Sequence, residues 1–221
     1  VEAEFGAAVG TAGDVNGDGY ADIIVGAPFW KSSSETLGAV WLYYGSDGGP
    51  HNAPDWYNPG DLDDAQYGYA VGTAGDVNGD GYSDVIIGAP LWKDDVINEG
   101  RVWLYLGSRG GLNYDSPWHA ESNNFNAKMG FSVGTAGDVN GDGFADIIVG
   151  APYYGDDGLS DEGKVYVFYG SSSGMDTAYW YREGGQGSAL YGYSVGTAGD
   201  VNGDGYADII FGDHSISPFY A

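Results

Sequence analysis

Asp14, Asn16, Asp18 and Asp22 place side-chain oxygens at positions 1, 3, 5 and 9 of a nine-residue loop, and Tyr20 can add its backbone carbonyl at position 7. Hard oxygen donors at that spacing suit Ca²⁺, which sits about 2.3–2.6 Å from its ligands. The set returns every 62 residues, as Asp76, Asn78, Asp80, Tyr82 and Asp84, then Asp138, Asn140, Asp142, Phe144 and Asp146, then Asp200, Asn202, Asp204, Tyr206 and Asp208. The expected metal content is therefore up to four Ca²⁺, one per repeat. Position 6 is glycine in every copy, which lets the backbone double back around an ion. Single Asp, Asn and Gly residues make ordinary polar turns. A turn needs one or two of them, and not the same five donors four times in fixed phase.

A helical calcium hand would continue to a bidentate Glu at position 12. That position holds Val25, Ile87, Val149 or Phe211. The first loop runs instead into Ile23-Ile24-Val25-Gly26-Ala27-Pro28, a β-branched run stopped by Gly and Pro, so each loop joins two strands of a hairpin.

The elements that must position the loops repeat with them. Phe5-Gly6, Tyr67-Gly68, Met129-Gly130 and Tyr191-Gly192 open a run of small residues, expected to be the strand nearest the axis of a radial array, where space is least. The second strand comes directly after the loop, and its apolar run predicts cover on both faces. Val40-Trp41-Leu42-Tyr43-Tyr44, Val102-Trp103-Leu104-Tyr105-Leu106 and Val165-Tyr166-Val167-Phe168-Tyr169 read as a third strand, each closed by Gly-Ser. Trp56, Trp118 and Trp180 mark a fourth, outer strand with polar neighbours and nearby proline, as an edge tolerates. The fold class predicted is all-β, a β-propeller of four-stranded blades with three complete and a partial fourth. Residues 1–221 read as one propeller domain or part of one, with repeats at about 1–62, 63–124, 125–186 and 187–221.

Phe-Gly, the Asp-rich loop and Gly-Ala-Pro, in that order and repeated, resemble the FG-GAP repeat of integrin α-subunit β-propellers. The resemblance covers nearly the whole chain. It implies a calcium loop joining the first two strands of each blade on one face of the disc, with ligands meeting the opposite face. Related propellers occur in bacterial surface proteins, calcium-containing lectins and accessory domains of lyases and lipases, so fold and metal are implied more firmly than ligand.

The pattern breaks after Ile209-Ile210-Phe211-Gly212, where Asp213-His214 replaces Ala-Pro and no third-strand motif comes after it. Either residues 215–220 form a makeshift third strand, or the blade is completed by chain outside these residues or by another copy. Asp213-His214-Ser215-Ile216-Ser217 also fits the Asp-x-Ser-x-Ser pattern of metal-dependent adhesion sites, but a diverged Gly-Ala-Pro corner is the better reading, because such a site needs a following helix and ligands from other loops.

Net charge is −25, with 32 acidic against 7 basic residues. Four Ca²⁺ would leave about −17. That balance disfavours nucleic acid and anionic membrane as partners. With no cysteine, calcium would have to do the stapling that disulfides do elsewhere. Weak loops of this kind stay filled at extracellular calcium levels, so a secreted or cell-surface location is expected. The chain opens on Val1 without a leader or long apolar run, which suggests a processed protein or an excised segment.

Trp30, Trp92 and Tyr154 recur two residues after each corner proline, on the face away from the loops. They are candidate ligand-binding residues for a protein or glycan, with wedging between blades as the competing role. The acidic runs Asp61-Leu62-Asp63-Asp64, Asp94-Asp95 and Asp156-Asp157 read as solvated loops. Catalysis has little to work with: His51, His119 and His214 do not recur with the blades, and no carboxylate pair is marked as acid and base. The function expected is an adhesion or recognition module with structural calcium and no enzyme activity. The alternatives are a structural subunit of a fibre or ring joined through unfinished blade edges, and a carbohydrate-binding accessory or polysaccharide-active enzyme.

Overall fold

The computed structural model describes residues 3–115, 117–156 and 158–213, and the readings placed on Asp157 and on residues 214–220 lie outside it. The strands are β1 (Ala8–Gly13), β2 (Asp22–Ala27), β3 (Lys31–Ser32), β4 (Glu35–Thr36), β5 (Ala39–Tyr43), β6 (Trp56–Pro59), β7 (Ala70–Gly75), β8 (Asp84–Ala89), β9 (Arg101–Tyr105), β10 (Trp118–Glu121), β11 (Ser132–Gly137), β12 (Asp146–Ala151), β13 (Lys164–Ser171), β14 (Gly174–Glu183), β15 (Ser194–Gly199) and β16 (Asp208–Gly212).

They form three four-stranded antiparallel sheets in the orders β1-β2-β5-β6, β7-β8-β9-β10 and β11-β12-β13-β14, then the two-stranded sheet β15-β16. The all-β class, the blade-like sheets and the partial fourth are as the repeats predict. The short hairpin β3-β4 was not anticipated; its turn uses Ser33 at a positive φ of 59°, a conformation that only glycine adopts freely. Among the described residues, no pairing closes the first sheet onto the last.

The small-residue strands lie innermost, with β1 beside β7, β7 beside β11 and β11 beside β15. Every hairpin keeps one register, as in Val9 opposite Val25, Val71 opposite Ile87 and Val133 opposite Val149. Each inner strand ends in a bulge, between Thr11 and Gly13 in the first sheet. The Thr11 hydroxyl receives the Gly13 amide there at 3.1 Å. A bulge bends the strand and re-aims the chain beyond it, and here it sends that chain into the Asp-rich loop.

Alternation along the strands gives each sheet two apolar faces. One, called leading here, meets the previous sheet, and the other, trailing, meets the next. Ile24, Val40, Leu42 and Trp56 on the trailing side of the first sheet pack against Val85, Ile87, Trp103 and Tyr105 on the leading side of the second. Ile86, Val102 and Leu104 do the same against Ile147, Val149, Tyr166 and Phe168. Ile148, Val165 and Val167 then meet Val195, Ile209 and Phe211.

The two motif glycines touch across these interfaces. A Cβ on Gly26 would run into the carbonyl of Gly68 in the next sheet, one on Gly88 into Gly130, and one on Gly150 into Gly192. The obstacle in each case is backbone, which cannot rotate away. Gly88→Ala is therefore expected to destabilise by more than about 3 kcal/mol in urea unfolding. Gly134→Ala, whose Cβ would meet nothing within 4 Å, should stay within about 0.5 kcal/mol. Equal costs at the two positions would remove the contact as the reason for the motif.

Candidate metal-binding loops

Each loop is wound around its first aspartate. Asp14 Oδ1 accepts the amides of Gly17 and Asp18 at 2.7 and 3.1 Å, and Oδ2 accepts that of Gly19 at 2.8 Å. The carboxylates of Asp76, Asp138 and Asp200 hold the amides at positions 5 and 6 in the same way. Asn16 Oδ1 takes the Asp18 amide at 2.9 Å and Asp18 Oδ1 takes the Tyr20 amide at 2.9 Å, with equivalents in the other three loops. These are side-chain turns that Asp and Asn make with nearby amides. Gly19, Gly81, Gly143 and Gly205 all hold φ between 90° and 94°, which explains glycine at position 6.

The ninth residue behaves differently. Asp22, Asp84 and Asp146 are buried, at 1%, 0% and 0% exposure. Asp84 Oδ2 accepts the Val77 amide at 2.8 Å and Oδ1 the Gly107 amide at 2.8 Å, so one carboxylate ties the loop entrance to the end of the third strand. Asp22 does this for Val15 and Gly45, and Asp146 for Val139 and Gly170. Asp208 takes the Val201 amide at 3.0 Å. Burial outweighs the two amides and pushes Asp84 up to about 7 and Asp146 to about 6, with Asp22 raised for the same reason. The like charges at positions 5 and 1 add to the shift.

The loops are also joined to one another, which repeat spacing alone does not reveal. Ser83 donates its amide to the Asp14 carbonyl at 2.9 Å, Ala145 to Asp76 at 3.0 Å and Ala207 to Asp138 at 2.8 Å. The ring of Tyr82 lies over Gly17, where a Cβ would come within 2.6 Å of it, and Phe144 lies likewise over Gly79. Ser108 and Ser171, from the Gly-Ser that closes the third strand, donate to the carbonyls of Val15 and Val77 in the preceding loops, both at 3.0 Å. Gly-Ser thus serves two loops, its glycine amide holding the buried Asp of its own blade and its serine amide the loop before.

The donor set is oxygen only and gathered along one tight turn, which fits a hard cation. As the side chains stand, the carboxylates are turned onto amides. Among the described residues no group of three or more acidic or histidine side chains converges closely enough to hold an ion.

Trp30, Trp92 and Tyr154 sit at the corners, each donating its amide to the Ala of Gly-Ala-Pro and accepting one from the glycine that opens the third strand. Trp92 and Tyr154 are each 8% exposed and belong to the interblade cores. The Arg101 guanidinium lies 3.8 Å from the Trp92 ring and Lys164 Nζ 4.4 Å from that of Tyr154. Trp30 is more open, edge-on to Trp41 and Tyr57. In this conformation Trp92 and Tyr154 take the wedging role and Trp30 does not. Asp63 is more than a solvated acid, since Oδ1 accepts the Thr36 amide at 2.7 Å.

Open sheets with small inner strands, glycine-to-glycine contacts and an Asp-rich loop on every first hairpin define integrin α-like propeller blades. The FG-GAP repeat model matches residues 5–43, 67–105, 129–168 and 191–212, and the chain belongs to the FG-GAP repeat family. Its relatives include integrin alpha-V of Gallus gallus, 36% identical over 92% of this chain and 19% of the relative. Integrin alpha-5 of Xenopus laevis is 32% identical over 96% of this chain and 20% of the relative. Integrin alpha-6 of Homo sapiens is 33% identical over 81% and 15%. The chain spans a fifth or less of the length of these relatives.

Asp84→Ala should lower stability by about 2–3 kcal/mol, because it leaves two buried amides without an acceptor. Asp80→Ala, at the exposed loop tip, should change calcium-free stability by less than about 1 kcal/mol. Urea unfolding in chelator reads both, and a larger loss at Asp80 would reverse the roles assigned to positions 5 and 9.

Proposed function

We propose that this chain is a calcium-stabilised propeller module that serves adhesion or recognition on a secreted or cell-surface protein. The observation that carries the metal is the ninth aspartate. Three buried carboxylates face loop carboxylates of the same sign, and a cation bound between them would lower the cost of keeping them ionised. Modest turns of the side chains at positions 1, 3 and 5 would give it oxygen ligands, with the carbonyl at position 7. The recognition role rests on kinship with integrin α chains and on the lack of a marked catalytic pair. A protein or glycan ligand would use the face opposite the loops, where Trp30 is the most accessible of the three corner aromatics.

Calcium should raise the melting temperature and chelator lower it, each site adding about 2.7 kcal/mol when calcium is about 100-fold above its Kd. Calorimetry should count up to four ions, and Asp80→Ala should remove one and spare the rest. An unchanged melting temperature after verified metal removal would sink the structural role. Binding to a glycan or matrix-protein array without turnover supports the module, whereas product released from a polysaccharide would make the chain an enzyme.

A further inference from the structure

The first two interblade contacts are alike in the core and differ at the rim. Trp56 lies edge-on to Tyr105 with ring centroids 5.3 Å apart, and Trp118 lies edge-on to Phe168 at 5.1 Å. In the first contact Tyr114, from the loop between β9 and β10, then stacks on Trp56 at 5.4 Å. Its hydroxyl accepts the Tyr57 amide at 3.4 Å and donates to the Tyr57 carbonyl at 3.2 Å. Asn58 and Tyr67 bond the Tyr105 hydroxyl at 2.8 and 3.1 Å, and Trp56 is left 3% exposed. The second contact lacks these closing groups. Ser108 and Ser171 each donate a hydroxyl to the carbonyl of the glycine three residues on, Gly111 or Gly174, so Thr177 holds the place of Tyr114. Ala120, Met129 and Phe168 stand where the first contact has Asn58, Tyr67 and Tyr105. A cleft of about 670 Å³ opens there, with Trp118 of the second sheet on one side and Tyr166, Phe168, Met175, Thr177 and Tyr179 of the third on the other.

We propose that this cleft binds a tyrosine side chain of a partner polypeptide, its ring stacked on Trp118 as Tyr114 is stacked on Trp56. The first contact is the template for the occupant. His119 lies opposite Trp103 as Tyr57 lies opposite Trp41, so its amide and carbonyl are placed to take the phenol hydroxyl. Stacked rings gain more than the area they bury, and a buried phenol needs such a partner for its hydroxyl. The volume falls within the range of about 300–1,000 Å³ of ligand sites, enough for the ring and the backbone beside it. Charge sets the flanks. Asp176 lines the cleft, Asp115 lines the smaller one on the other side of Trp118, and the chain as a whole carries −25, so lysine or arginine next to the tyrosine is favoured. The site runs along the rim and goes beyond the ligand face proposed above, reaching it where Asn124 and Tyr154 line the cleft.

Titration of the isotope-labelled chain with the peptide acetyl-Lys-Tyr-Lys-amide, read at the Trp118 indole NMR signal, tests this. That signal is assigned by its loss in Trp118→Phe. It should shift saturably with peptide, and the analogue with leucine in place of tyrosine should bind at least about 10-fold more weakly. Thr177→Tyr restores the ring that closes the first contact, so it should weaken peptide binding by about 10-fold or more while the melting temperature holds or rises. Trp118→Ala, followed by calorimetry, should weaken binding to the same extent; if one of the two variants does not fold, the other decides. The absence of a saturable shift at the highest soluble peptide concentration overturns the proposal. So does equal binding of the leucine analogue, binding that survives Thr177→Tyr, or a saturable shift of the same indole by maltohexaose when the peptide leaves it unmoved.

Discussion

Backbone meeting backbone at glycine is the constraint on which the remaining packing depends. Where Gly26 lies on Gly68, Gly88 on Gly130 and Gly150 on Gly192, adjacent sheets come closer than any side chain would allow. That spacing brings β1, β7, β11 and β15 side by side and leaves room near them only for Ala, Gly, Ser, Thr and Val. It also lets each apolar face close fully, so that Ile86, Ile147 and Ile148 retain no exposed surface. Close-packed interiors lose stability for every methylene's worth of void, and a wider gap would leave such voids along the whole interface.

The buried aspartate at position 9 is the polar counterpart of that contact. By accepting one amide from the loop entrance and one from the residue after the third strand, Asp84 sets the loop's position relative to the sheet. The serial bonds from Ser83 to Asp14 and from Ser108 to Val15 carry that placement to the preceding loop. An ion bound in one loop would thus act on a rim already joined by hydrogen bonds. Repeat proteins couple mainly to nearest neighbours, and here that coupling has named atoms on the loop side as well as in the apolar core.

Much of this was readable from the chain. Strand order, the inner position of the small-residue strand and the outer position of Trp56, Trp118 and Trp180 came from periodicity, because burial on two faces and crowding at the axis each leave their own residue pattern. The recurrence of the Asp-rich loops was legible for the same reason, but their bonding was not: the first aspartate holds amides of its own loop and the ninth is buried on two more. Contacts between repeats were not. That Tyr82 covers Gly17, or that a serine amide reaches a loop about 90 residues earlier, depends on the angle between sheets, which no local pattern encodes. The corner aromatics illustrate the same limit: Trp92 and Tyr154 share a sequence position with Trp30, yet among the described residues they have a preceding sheet against them and Trp30 has none.

Charge distribution separates the sheets further. The chain has 7 basic residues, and two of them hold one structural place, the first residue of the third strand. Arg101 pairs across the strands with Glu121 and Lys164 with Glu183, the latter at 3.0 Å. Both cations lie over the corner aromatic of their own sheet. In the first sheet the same pair of positions is Ala39 opposite Pro59, and neither charge is present. A cation held between a carboxylate and a ring is worth keeping where the next layer excludes water, because both attractions strengthen as solvent leaves. The second and third sheets have a neighbour on their leading side to exclude it. The first sheet has none among the described residues, and its corner relies on Trp30 packing edge-on to Trp41 and Tyr57, which tilt against each other, an arrangement that holds without a buried charge.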